Sequence, residues 1–114
     1  MVYIPDRGDV IWMELNPQAG HEQAGHRPVV ILTPRSYNDK TSLALVCPVT
    51  SQRKRFPFEV VLPSGLSISG VVLADQIKSL DWRARNARFI CSLPLSIQSE
   101  ILQKLATLLI LPPS

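Results

Sequence analysis

Hydrophobic and polar positions alternate in short blocks along most of this chain, and the period changes once, near residue 94. Residues 10–15 (Val-Ile-Trp-Met-Glu-Leu) read as a first strand, entered through the turn Asp6-Arg7-Gly8-Asp9. Trp12 is expected in the core. A long polar loop, residues 16–26, follows. Pro28 opens a second strand over 28–33, at the one strand position where a missing N–H costs little. Residues 35–40 form a short turn or a single helical turn, with Asn38-Asp39 as turn chemistry. A third strand covers 43–50, and Pro48 inside it predicts a bulge or an edge. Residues 51–56 are a basic loop. A fourth strand spans 58–62, Pro63-Ser64-Gly65 turns the chain, and 70–74 form a fifth. Residues 75–80 continue it or bend into a sixth, 81–86 make a second basic loop, and 87–92 a last strand.

From Pro94 the apolar residues Ile97, Ile101, Leu105 and Leu108 recur at steps of three and four, with Gln98, Gln103 and Lys104 between them. That is the pattern of an amphipathic helix running to about residue 109. Pro94 suits its first turn, where no N–H is needed, and Pro112-Pro113 end it. Six or seven short strands and one terminal helix predict a mainly-β domain, a small bent antiparallel β-barrel with a C-terminal α-helix. The helix would cover one side or meet a second subunit.

Composition narrows this little. A chain of 114 residues fits one domain, 1–114. It buries about two-thirds of its unfolded surface and so holds a core without staples. The net charge of +3 permits an anionic partner without demanding one. No apolar run approaches the roughly 20 residues of a membrane span, and the charged first residues with Pro5 do not read as a signal peptide. The expectation is a cytoplasmic protein with no membrane contact. Cys47 and Cys91, 44 positions apart, are read as two reduced thiols at buried strand positions.

The chemistry concentrates in a few places. The loop Ala-Gly-His-Glu-Gln-Ala-Gly-His-Arg-Pro (19–28) holds both histidines, His21 and His26, with Glu22. It delivers Arg27 to the mouth of a strand, where an Arg forks onto phosphate with two parallel hydrogen bonds. The plainer reading of Arg27 is an ion pair with Glu22. Thr50 ends the third strand, where a hydroxyl points into the cleft the loops form. The plainer reading is an ST-turn. Arg53, Lys54 and Arg55 form one basic cluster, and Arg83, Arg85 and Arg88 beside Trp82 another. Together they hold six of the 12 basic residues. Such runs are usually a solvated face. Two of them on loops, one with an aromatic, suit a groove that tracks a phosphate backbone and stacks bases. RNA fits better than DNA, because no major-groove reading helix is visible. No metal-ligand spacing and no phosphate-binding glycine loop are present, so no cofactor or metal is expected. A nuclease built this way would use the RNA's own 2′-hydroxyl.

Taken together, several blocks resemble one family. They are Arg7-Gly8-Asp9-Val10-Ile11-Trp12, Gly20-His21-Glu22-Gln23-Ala24-Gly25-His26-Arg27-Pro28, Pro48-Val49-Thr50-Ser51, Phe56-Pro57-Phe58-Glu59-Val60, and the segment from Gly70 to Arg85. In this order and spacing they resemble the MazF/PemK ribonuclease toxins, over nearly the whole chain. The resemblance implies an SH3-like barrel and a homodimer. It implies metal-independent, sequence-specific cleavage of single-stranded RNA to 2′,3′-cyclic phosphate and 5′-hydroxyl ends, which stops translation and growth. It implies a cognate antitoxin with an acidic tail, through which alone operator DNA would be met. Arg27 and Thr50 fall at the family's catalytic positions, with Glu22 or His26 as an assisting base. Asp75, Gln76, Lys78, Ser79, Trp82, Arg83 and Arg85 would line the RNA groove with the 53–55 loop. Base preference stays open. Two other readings remain: a toxin on the same barrel that poisons DNA gyrase, which the Leu-Pro-Pro-Ser end does not favour, and a non-catalytic RNA-binding homologue.

Overall fold

The computed structural model describes residues 2–16, 20–21 and 25–113. These form seven strands and two helices. They are β1 (Asp9–Glu14), β2 (His26–Ile31), α1 (Arg35–Thr41), β3 (Leu43–Thr50), β4 (Glu59–Val61), β5 (Val71–Leu73), β6 (Lys78–Asp81), β7 (Arg88–Ser92) and α2 (Leu95–Ala106). The strand order is β4-β5-β3-β2-β1-β7, with β6 on β3, and every pairing is antiparallel.

β3 is the hinge of this bent sheet. One flank pairs with β2. The other pairs with β6 over residues 43–46 and with β5 at residues 49–50. Pro48 lies in the gap between those two partners, which is how the ladder accommodates it. Pro28 is solved similarly. It lies inside β2 rather than opening it, but β2 pairs with β3 only from Val29 onward. At Pro28 the strand has only β1 beside it.

Two cores explain why the central strands read as almost continuous apolar runs. Val10, Val30, Cys47, Val49, Val72 and Ala74 face one core, closed by Ile101 and Leu105 of α2. Ile11, Met13, Val29, Ile31, Ala44, Val46 and Trp82 face the other. At residues 10–11 and 29–31 successive side chains of β1 and β2 thus alternate between two buried environments, not between core and water. Asn38 of α1 is the buried polar hub. Its amide donates to the carbonyls of Pro5 (2.8 Å) and Thr33 (3.0 Å) and accepts from the Thr33 hydroxyl (2.6 Å). Its own carbonyl accepts the Trp82 indole N–H at 3.0 Å.

Both cysteines are free thiols. Cys47 is buried, and burial pushes its thiol up to about 12, whereas Cys91 is only partly covered. The C-terminal helix is shorter than its periodicity predicts. It ends at Ala106, and the chain closes through turns in which Leu108 and Leu109 donate to carbonyls three residues back. Leu108, expected on the buried stripe, is exposed, and so are Leu109, Ile110 and Leu111. The core-facing stripe stops at Leu105. Among the described residues no helix is long and apolar enough to cross a membrane.

Candidate functional site

Thr50 is the centre of the site. It ends β3 and is 6% exposed. Its Oγ1 accepts the Gln52 N–H at 3.2 Å, so the ST-turn expected of a strand-end Thr is formed. That bond uses a lone pair and leaves the hydroxyl proton to donate elsewhere. Gly70 fixes where Thr50 lies. Its φ is +121°, and a Cβ placed there would sit 2.3 Å from the Thr50 carbonyl oxygen. Only glycine lets the chain entering β5 come this close.

Thr50 lines two depressions. The first, about 400 Å³, is bordered by Trp12, His26, Arg27, Pro28, Ser51 and the 67–69 segment. Arg27 and Thr50 therefore share one concavity, built from adjacent strands. Arg27 lies opposite Met13 in the sheet and is half-buried. His26 begins β2 and stacks on Trp12, with ring centroids 5.4 Å apart and planes 19° apart. The second depression, about 440 Å³, is lined by His21, Gln52, Lys54, Glu59, Asp75 and Gln76 over an apolar wall of Phe56, Phe58 and Leu73. His21 is exposed and borders this cavity.

The loop carrying Arg27 is latched at its base. Leu15 donates to the Gly25 carbonyl at 2.9 Å, and Gly25 donates to Asn16 Oδ1 at 3.1 Å. Gly25 has φ +79°, a left-handed conformation that suits glycine. Glu22 lies outside the described residues.

The first basic loop is shaped by an acid that the sequence reading did not single out. Both carboxylate oxygens of Glu59 accept backbone N–H groups, those of Lys54 and Arg55, each at 2.9 Å. Arg55 has φ +62°, unusual for a residue with a side chain. Lys54 reaches the cavity, while Arg53 and Arg55 are exposed outside its lining. The signal in the sequence was a lone acid a few residues after a basic run.

The second basic cluster sits differently from expectation. Trp82 is 3% exposed and packs in the second core, so it offers no open face to a base. The Arg83 guanidinium lies 4.3 Å from the Trp82 ring centroid and 3.1 Å from Asp39 Oδ1. Arg85 donates to the carbonyls of Glu14 (2.9 Å) and Asn16 (3.1 Å), bracing the base of the Arg27 loop. The turn itself is organised by Asp81. The Ser42 hydroxyl, then the N–H groups of Ala84 and Arg83, hold its carboxyl below the usual range. The two tryptophans have exchanged expected places, because Trp12 is 37% exposed beside Arg27. Lys78 and Ser79 lie on β6, opposite Val46 and Leu45, and neither depression includes them. Arg88 is exposed near His26 and Glu14.

This is a small bent antiparallel barrel with two neighbouring depressions that meet at a strand-end Thr, one of them shared with a strand-mouth Arg. Residues 6–109 match the family described as PemK-like, MazF-like toxins of type II toxin–antitoxin systems, and the chain belongs to that family. It is 58% identical over 85 residues to the endoribonuclease toxin MazF of Escherichia coli strain K12, covering 75% of this chain and 76% of that one. It is 40% identical over 108 residues to the Escherichia coli endoribonuclease PemK, covering 91% and 81%. The fold superimposes on a crystal structure of MazF from Deinococcus radiodurans with a TM-score of 0.92 at 50% identity, covering 95% of this chain and 98% of that one. A MazE–MazF complex from the same organism gives 0.84 at 44% identity, covering 95% and 97%.

Proposed function

We propose that this chain is the endoribonuclease toxin of a type II toxin–antitoxin pair and cleaves single-stranded RNA without a metal. The observation that carries the reading is the shared concavity of Arg27 and Thr50, in a chain of this family. The scissile phosphate sits between them. A base removes the proton of the 2′-hydroxyl, the 2′-oxygen attacks phosphorus, and the bond from phosphorus to the 5′-oxygen breaks. An acid returns a proton to that leaving oxygen. The products are a 2′,3′-cyclic phosphate and a 5′-hydroxyl.

Thr50 donates to a non-bridging oxygen, and Arg27 holds the negative charge that grows in the phosphorane. The guanidinium carries a fork of donors and no acceptor, so Arg27 serves as anchor and hydrogen-bond donor to the growing charge, not as base. A neutral imidazole has one ring nitrogen free to accept a proton. His26 borders the Arg27 concavity and His21 the neighbouring one, so both join Glu22 as base candidates. Gln52, Lys54, Asp75 and Gln76 offer donors and acceptors to bases flanking the cut. Sequencing the 5′ ends produced from a total RNA pool is expected to return one short recurrent motif in unpaired segments. Ends scattered without a motif would overturn the sequence-specific part of the reading.

Two partners go with this reading. The exposed Leu108–Leu111 run leaves apolar surface to hide, and a two-fold pair is the commonest way to hide it. Light scattering is expected to give twice the chain mass, and a monomer mass at all concentrations would refute the dimer. A MazE–MazF complex of the same fold supports an antitoxin partner. Its acidic segment would compete with RNA for the Lys54 side of the groove, and salt would weaken both.

A further inference from the structure

We propose that Glu59 is a positioning residue for RNA: its buried carboxylate moulds the 52–56 loop so that Lys54 meets the substrate at the Thr50 groove. The inference rests on the endoribonuclease reading and extends it to a residue outside the reacting groups. A carboxylate in the wall of a groove for a polyanion repels phosphate unless its charge is used. Here it is used. One oxygen takes the Lys54 N–H and the other the Arg55 N–H, each at 2.9 Å. Both oxygens are engaged on backbone, so the carboxylate's charge is committed to the loop.

Glu59 is itself firmly held, which is what an anchor requires. It is 7% exposed and pairs with Leu73 in the sheet. Its N–H donates to the Phe56 carbonyl at 3.1 Å, closing the loop on itself. Its carbonyl accepts Lys104 Nζ at 2.9 Å, tying the same residue to α2. The loop it organises carries three adjacent cations and one left-handed arginine backbone. Without the carboxylate that loop has several accessible shapes, and Lys54 has no fixed place beside Thr50.

Three measurements test this. In the wild-type protein, the amides of Lys54 and Arg55 should exchange hydrogen more slowly than that of Arg53. Equal rates would contradict the anchor. In steady-state cleavage of a defined RNA, Glu59→Ala should raise KM by about tenfold, the scale of one lost charge-assisted hydrogen bond, and leave kcat within about threefold. It should also broaden the set of sequences cut, which mere destabilisation would not do. A wild-type protein that cuts no RNA overturns the nuclease reading beneath the inference. A wild-type protein that cuts, beside a Glu59→Ala variant with unchanged KM and cut sites, overturns the inference alone. Should Glu59→Ala not fold, Glu59→Gln decides. It keeps one acceptor oxygen, so KM should rise by less than the about tenfold expected of the Ala change, and one of the two amides should lose protection. Wild-type KM with both amides protected overturns the proposal.

Discussion

Replacing Arg27 with Ala is expected to slow RNA cleavage by about a hundredfold or more, the usual cost of removing one preorganised charge-stabilising donor, with the fold intact. The side chain leaves β2 half-buried and borders the concavity that holds Thr50. Its backbone stays paired with Met13 whatever the side chain. The loss should therefore appear in the rate of a protein that stays folded. Arg27→Lys separates two contributions. It retains the charge but loses the planar fork, so an intermediate rate is expected in single-turnover assays. A folded Arg27→Ala variant cutting at near wild-type rate would remove Arg27 from the mechanism.

Gly70→Ala should damage both stability and activity, although residue 70 touches no substrate in this account. The new methyl would stand 2.3 Å from the Thr50 carbonyl oxygen and 3.2 Å from Ser51 Cα, and both obstacles are backbone. Overpacking and the unfavourable φ each cost about 1–3 kcal/mol, so a loss of about 2–6 kcal/mol is expected. Relief requires the end of β3 to move, which shifts the Thr50 hydroxyl. A displacement of about 1 Å at a reacting centre costs on the order of a hundredfold in rate. Gly65→Ala is the control. Its φ is +92°, yet nothing lies within 4 Å of the added methyl. It should lose stability from strain alone and keep its rate. Urea midpoints with single-turnover rates check both variants, and a Gly70→Ala protein equal to the Gly65→Ala protein in both would refute the steric account.

The strands were legible where one chain segment decides its own structure. The apolar run Leu-Ala-Leu-Val-Cys-Pro-Val-Thr marks β3 at residues 43–50, as observed, because it is long and bounded by polar turns. Boundaries moved where a neighbour decides. His26 and Arg27 join β2 ahead of Pro28 because β1 reaches far enough to pair with them. Positive charge in the 53–55 and 83–88 clusters was plain in the sequence, but its use was not. Arg83 spends its guanidinium on Asp39, 44 positions away, and Arg85 on Glu14, 71 positions away. The two tryptophans look alike in local context. Trp82 is drawn inside by the Asn38 carbonyl 44 positions away, and Trp12 stays out against His26. Arg27 and Thr50 stood out because a loop and a strand end frame them locally. Glu59 did not, because residue order alone does not show its carboxylate turning back onto the N–H groups of Lys54 and Arg55, five and four residues earlier.

In the proposed mechanism Arg27 and Thr50 cut RNA by directing its own 2′-hydroxyl at phosphorus. The most direct measurement incubates the purified, folded protein with a long unstructured RNA in excess EDTA and determines the chemistry of the new ends. Discrete fragments bearing 2′,3′-cyclic phosphates and 5′-hydroxyls are expected, with no cleavage when the 2′-hydroxyl at the cut site is replaced by hydrogen. Intact RNA under these conditions, or fragments with 5′-phosphates, would contradict the mechanism.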